Sequence, residues 1–124
     1  GAGTCQRGVR FDNWYYLRTL HDGYNLFPRD MLFDVEKDPH QRRDLAREHP
    51  DVVRDAAYRL QNWHDEMMRS MPPGYATDPL WTVVEEGGPS HVRGRLPGYL
   101  SFLTANGHQQ AADELRSRHP READ

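Results

Sequence analysis

Seven histidines, one cysteine and one run of alternating carboxylates are the residues here that could do chemistry. The histidines are His21, His40, His49, His64, His91, His108 and His119. No pair has the H-E-x-x-H spacing that sets two imidazoles on one helix face around zinc. His64 falls beside Trp63 and Met67 on the apolar face of a helical pattern, where a packed ring with one nitrogen satisfied is expected. His40, His49, His108 and His119 read as solvated surface. His21 and His91 stand apart, because both lie in irregular, glycine-containing stretches. Loops held by a rigid scaffold carry function more often than core positions do. The lone cysteine, Cys5, reads as a small strand residue, since free cysteine usually packs as a buried hydrophobe. Asp34, Glu36 and Asp38 alternate along LFDVEKDP. Such carboxylates resemble hard-cation ligands, which need several oxygens. Strand alternation puts them on one face with no further ligand group nearby in sequence, so a solvated charged face is the preferred reading and no metal site is expected.

The elements that must hold these residues come from a chain of 124 residues, enough for one domain of ordinary size. Only 36% of residues are hydrophobic and 28% are charged, which implies a thin core under a solvated surface. With 16 basic and 19 acidic residues the net charge is -3, and Arg42-Arg43 is too short to be a basic patch. Nucleic-acid binding is therefore not expected. No apolar run approaches the length of a membrane span, so no membrane association is expected either. One cysteine excludes an internal disulfide and leaves the compartment open. The opening Gly1-Ala2-Gly3, without Met, reads as a cut or a cloning scar.

Thr4–Phe11 and Trp14–Leu20 look extended, with Asp12-Asn13 between them, which is a hairpin signal. HDGYNLFP (His21–Pro28) reads as a loop and Met31–Val35 as a third strand, closed by Asp38-Pro39. From Pro50 to about Ser70 the pattern is helical. Pro50 suits the first helical position and Asp51 the positive end of the dipole. Val53, Ala56, Ala57, Leu60, Trp63, His64 and Met67 recur at spacings of three and four, which predicts one buried face packed on the sheet. Pro72-Pro73-Gly74 should end the helix. Tyr75–Gly94 reads as irregular and extended. Leu96–Thr104 and His108–Arg118 read as two short helices separated by Asn106-Gly107, with Tyr99, Leu100, Leu103, Ala112 and Leu115 inward. The expected fold is α+β: a small antiparallel sheet of three or four strands, a long helix on one face, and a tail with two short helices. Residues 1–74 form the sheet-plus-helix part, and 75–124 complete the same domain.

These pieces, in order, resemble the C-terminal subdomain of sulfatases, in the alkaline-phosphatase-like superfamily. The resemblance rests on the aromatic strand with Arg10, Trp14, Tyr16 and Arg18, then Leu32, Phe33 and Asp34, then Asp38-Pro39 and Asp44-Leu45-Ala46. The tail DPLWTVVEEGGPSHVRGRLPGYL is similar to the end of some bacterial members. The resemblance implies a parent whose large N-terminal α/β domain is this chain's partner and does the catalysis. That domain would use a formylglycine made from a C/S-x-P-x-R motif and a divalent cation, calcium by expectation. Around Cys5 the proline is missing and Arg7 comes two positions early, so no catalytic residue and no cofactor are expected in this chain. Because the subdomain helps wall the substrate pocket in the resembling enzymes, the resemblance makes His21, Tyr24, His91 and Arg93 candidates for substrate contact, weighed against local loop packing. Two alternatives stay open: a free-standing protein-interaction module, and the same subdomain from a phosphonate or phosphodiester hydrolase. A face cut from its parent at Trp14–Leu17, Leu26-Phe27 and Leu80-Trp81 would favour a homodimer of the isolated chain.

Overall fold

Apolar and aromatic segments on either side of Asp12-Asn13 build a hairpin. Strand β1 (Cys5–Phe11) turns through Asp12-Asn13 into β2 (Trp14–His21), with Asp12 in the left-handed region at φ 52. Aspartate tolerates that region better than most residues. Strand β3 (Asp30–Asp34) pairs antiparallel with β2, Trp14 opposite Asp34 and Arg18 opposite Asp30, and the sheet order is β1-β2-β3. The structure is a computed structural model, and it describes residues 4–72, 74 and 78–124.

Helix α1 (Pro50–Ser70) packs its apolar face on this sheet. Tyr16 and Leu32 from the sheet and Ala56 and Leu60 from the helix form the buried centre, with Val9, Phe11, Trp14, Ala46, Val52, Val53 and Ala57 around it. Pro50 opens the helix and Asp51 sits in its first turn, as the sequence signals require. The Tyr16 hydroxyl donates to Asp30. Burial, helped by that carboxylate, pushes its pKa up to about 12.

Trp63 departs from expectation. It is 49% exposed and lies under the Arg7 guanidinium, 5.3 Å from the ring centre. Full burial along the helix stops at Leu60, while His64 and Met67 beyond it stay half-buried.

The described chain falls into two compact units. One takes in Gln6–Thr19 and Pro28–Asp78, and holds the paired strands and α1. The other takes in the described part of Gly1–Cys5, Leu20–Phe27 and Pro79–Asp124. The HDGYNLF stretch thus belongs with the tail, and Pro28 returns the chain to the sheet unit. Thr19 pins the two feet of this excursion: its N–H donates to the Arg29 carbonyl at 2.8 Å and its hydroxyl to that of Pro28 at 2.8 Å.

The second unit contains α2 (Pro79–Glu85), α3 (Leu96–Ala105) and α4 (Gln109–Arg118). Leu96, Leu100 and Leu103 of α3 meet Ala112 and Leu115 of α4, with Tyr24, Val92 and Ala123 completing the core. Asn106-Gly107 separates α3 from α4, and Gly107 takes φ 79, as a helix stop requires. Two expectations are corrected. Tyr99 is not inward; it stacks on Phe102 on an exposed face. The stretch expected to be irregular contains α2, begun by Pro79 and ended at Gly87-Gly88, whose N–H groups close on the Val84 and Val83 carbonyls. Adjacent β-branched residues had masked its helical character. Tyr75, Ala76 and Thr77, like Pro73 of the expected helix stop, lie outside the described residues.

Candidate functional site

The opening of the HDGYNLFP loop is a tight turn. The Asn25 N–H donates to the Asp22 carbonyl at 3.1 Å, and both central residues, Gly23 (φ 58) and Tyr24 (φ 66), have positive φ. That is the pattern of a type I′ turn. Glycine adopts it freely; tyrosine does not, so Tyr24 is strained. What holds it is burial of its ring, edge-on to two imidazoles: His21 at 5.3 Å and His119 at 5.1 Å between ring centres. Strain held by surrounding packing is a feature of functional loops.

Asp22 is the hub. Its Oδ1 accepts from the Tyr24 N–H at 2.9 Å and lies 2.7 Å from His119 Nε2. Its Oδ2 accepts from Arg118 Nη1 at 3.0 Å. The same nitrogen reaches the Phe27 carbonyl, and Arg118 Nε reaches Glu114 at 2.9 Å. Burial pushes the Asp22 carboxyl up, but His119, the Tyr24 N–H and Arg118 outweigh it and hold its pKa below the ordinary value. An ionised Asp22 accepts from His119 Nε2–H, and Nδ1 of the same ring lies 4.0 Å from Glu122.

His21, 2% exposed, closes the cluster. Its Nδ1 accepts from the Gly23 N–H at 3.0 Å, so the proton of the neutral ring sits on Nε2. Nε2 makes no hydrogen bond among the described residues, and the Glu122 carboxylate is 4.0 Å away. Burial and the neighbouring His119 lower its pKa more than Asp22 and Glu122 raise it, which keeps the ring neutral. Gly88 lies flat against this ring: a methyl group added there would fall 2.5 Å from Cε1.

Of the four residues singled out from sequence, the structure brings two together. His21 and Tyr24 are buried in this cluster. His91 is exposed and outside it. Arg93 is exposed too, but it works on the cluster at one remove. Its Nε donates to the Gly88 carbonyl at 2.8 Å and its Nη2 pairs with Glu86 at 2.8 Å, so it clamps the glycine loop that covers His21.

Asp22, Arg118, His119 and Glu122 were missed. His119 was expected on the surface and is instead 7% exposed. It follows α4 directly, where the sequence shows only a polar helix end, and its partner Asp22 is 97 residues away. The one local signal was the aspartate before glycine in a loop, a residue that must find donors if buried. His49 is likewise half-buried, with its ring 5.1 Å from that of Trp14.

The carboxylate run behaves as scaffold. Asp34 Oδ1 accepts from the N–H groups of Glu36 and Lys37, both at 3.2 Å. Asp38 accepts from Arg42 and Arg43, and Asp44 from Leu32 and Ala46. His64 Nε2 lies 3.2 Å from Asp78, which also pairs with Arg7. Among the described residues only His21, His119 and Glu122 gather three metal-ligating atoms. Neither a scan of protein-family models nor a search of solved structures finds a match to this chain.

Proposed function

We propose that the chain is a subdomain of a sulfatase-like sulfuric-ester hydrolase, with a structural and pocket-rim role and no catalysis of its own. One observation carries this reading. Asp34, Asp38 and Asp44, the acidic residues on which the resemblance leans, each accept hydrogen bonds from two backbone N–H groups. Carboxylates used in this way order a strand exit and a turn. Cys5 is buried at 4% exposure, which suits packing rather than nucleophilic attack. In this reading His91 and Arg93 stand at the pocket rim, and His21 and Tyr24 brace that rim from inside. Exposed Phe27, Trp81, Tyr99 and Phe102 suit a unit that packs on a larger domain.

The test is an assay of the purified chain with an aryl sulfate, and with an aryl phosphodiester beside it, across a panel of divalent cations. No turnover above the buffer blank is expected. Turnover that survives further purification refutes the non-catalytic role. The reading frame that encodes the chain separates this reading from a free-standing interaction module. A frame of several hundred residues with an upstream C/S-x-P-x-R motif supports the hydrolase; a short frame without one refutes it.

A further inference from the structure

We propose that His21, His119 and Glu122 form a binding site for one transition-metal ion of the zinc class. This departs from the expectation, drawn from sequence, that the chain holds no metal. One ligand atom from each of the three residues lies within 4.8 Å of the others, and His21 Nε2 and His119 Nδ1 are the ring nitrogens found near Glu122. The two ring nitrogens each lie 4.0 Å from a different Glu122 oxygen. Separations of 4.0–4.8 Å put the centre of the triangle about 2.3–2.8 Å from each corner. Zinc bonds run about 2.0–2.1 Å, so the ligands close inward by a few tenths of an ångström.

Three further features point to a ligand here. His119 is already prepared, because its Nε2–H donates to Asp22 and its Nδ1 lies on the side of Glu122, 4.0 Å away. A carboxylate behind a histidine is the usual outer support of a metal-bound imidazole. Arg118 holds Asp22 in turn. His21 Nε2 is buried without a hydrogen bond among the described residues, an arrangement that native interiors avoid unless something binds there. Glu122 also lines an open cleft of about 360 Å³ with Glu85, Glu86 and Asp124, where carboxylates outnumber Arg121. An acidic mouth draws cations in. Two imidazoles and one carboxylate select zinc, nickel or cobalt over calcium, which takes oxygen ligands.

The proton count sets the structural consequence. The neutral His21 ring carries its proton on Nε2, because the Gly23 N–H donates to Nδ1. Metal takes the Nε2 electron pair, the proton moves to Nδ1, and the Gly23 N–H loses its acceptor. Gly23 has the backbone freedom to turn away. Binding at this site therefore moves the Gly23 amide, and binding elsewhere does not.

The experiment is a calorimetric titration of the full chain with zinc chloride, followed by two-dimensional amide spectra of the free and loaded protein and the absorption spectrum of the cobalt(II) form. One equivalent is expected, with a shifted Gly23 amide and the intense visible bands of four-coordinate cobalt. Glu122→Gln and His119→Gln should each weaken zinc binding at least about tenfold. His108→Ala, at an exposed position outside the cluster, should leave it unchanged. If His119→Gln fails to fold by circular dichroism, Glu122→Gln decides, since its side chain reaches the cleft. Absence of saturable binding overturns the proposal, as does zinc affinity unchanged in Glu122→Gln or a Gly23 amide that stays in place.

Discussion

Gly88→Ala tests the close packing on which the cluster depends. The new methyl carbon would lie 2.5 Å from His21 Cε1, 2.6 Å from Nε2 and 2.8 Å from Nδ1. The ring cannot retreat easily, since the Gly23 N–H holds its Nδ1 and Tyr24 and His119 flank it. Overpacking of a rigid interior costs about 1–3 kcal/mol. Gly88 also sits at φ 100, where an L side chain is strained by about 1–3 kcal/mol. The narrower unfolded ensemble of alanine offsets about 0.4–1 kcal/mol. The expected loss is about 2–5 kcal/mol, a large part of the 5–15 kcal/mol typical of a domain. Gly94→Ala is the control: it sits at φ 72 with nothing within 4 Å of the added carbon, so it carries the strain without the clash. Urea midpoints at constant slope measure both. A double-mutant cycle with His21→Ala then isolates the contact, because removing the ring makes room for the methyl. Equal losses for Gly88→Ala and Gly94→Ala, or no coupling between Gly88→Ala and His21→Ala, would refute the packing of the glycine loop on His21.

Leu60→Ala should cost about 2–5 kcal/mol by opening a cavity under α1. Trp63→Ala should cost only about 1 kcal/mol, mostly its contact with Arg7, and a reversed order would show that the helix packs through the wrong residues. Acid stability should depend on Asp38. Hydrogen bonds from the Arg42 and Arg43 N–H groups lower its folded pKa, so its contribution is complete above the unfolded value of 3.8 and is lost as pH falls through the folded value. Asp38→Asn should flatten the unfolding free energy against pH in that range, as read by fluorescence; an unchanged slope would contradict the hydrogen bonds. Tyr16 works in the opposite sense. Its raised pKa means that stability is complete below pH 10 and declines as pH rises toward about 12. Tyr16→Phe should remove that part of the alkaline loss, followed by the same fluorescence measurement between those limits.

Local sequence carried the elements. The extended apolar segments on either side of Asp12-Asn13 marked β1 and β2, the spacing of Ala56 and Leu60 marked α1, Pro50 marked its start, and Asn106-Gly107 marked the break between α3 and α4. These signals are legible because the physics behind them acts within a few residues: backbone sterics, dipole complementarity and one-sided burial. Tertiary structure decided how far each element is covered. Trp63 obeys the same periodicity as Leu60, yet it stays half exposed under the Arg7 guanidinium. Tyr99 obeys the periodicity of Leu103, yet it faces away from α4. The candidate site was the least legible part. His21 and Tyr24 could be singled out from their loop, but the residues that complete the cluster, Arg118, His119 and Glu122, lie in an ordinary polar helix end. Nothing local distinguishes His119 from the exposed His108 at the other end of the same helix. Only the return of the tail over the HDGYN turn brings Asp22 within 2.7 Å of one and not the other. Burial and partner follow from that contact, because a hydrogen bond across 97 residues is set by the packing of the whole unit and not by the residues beside it.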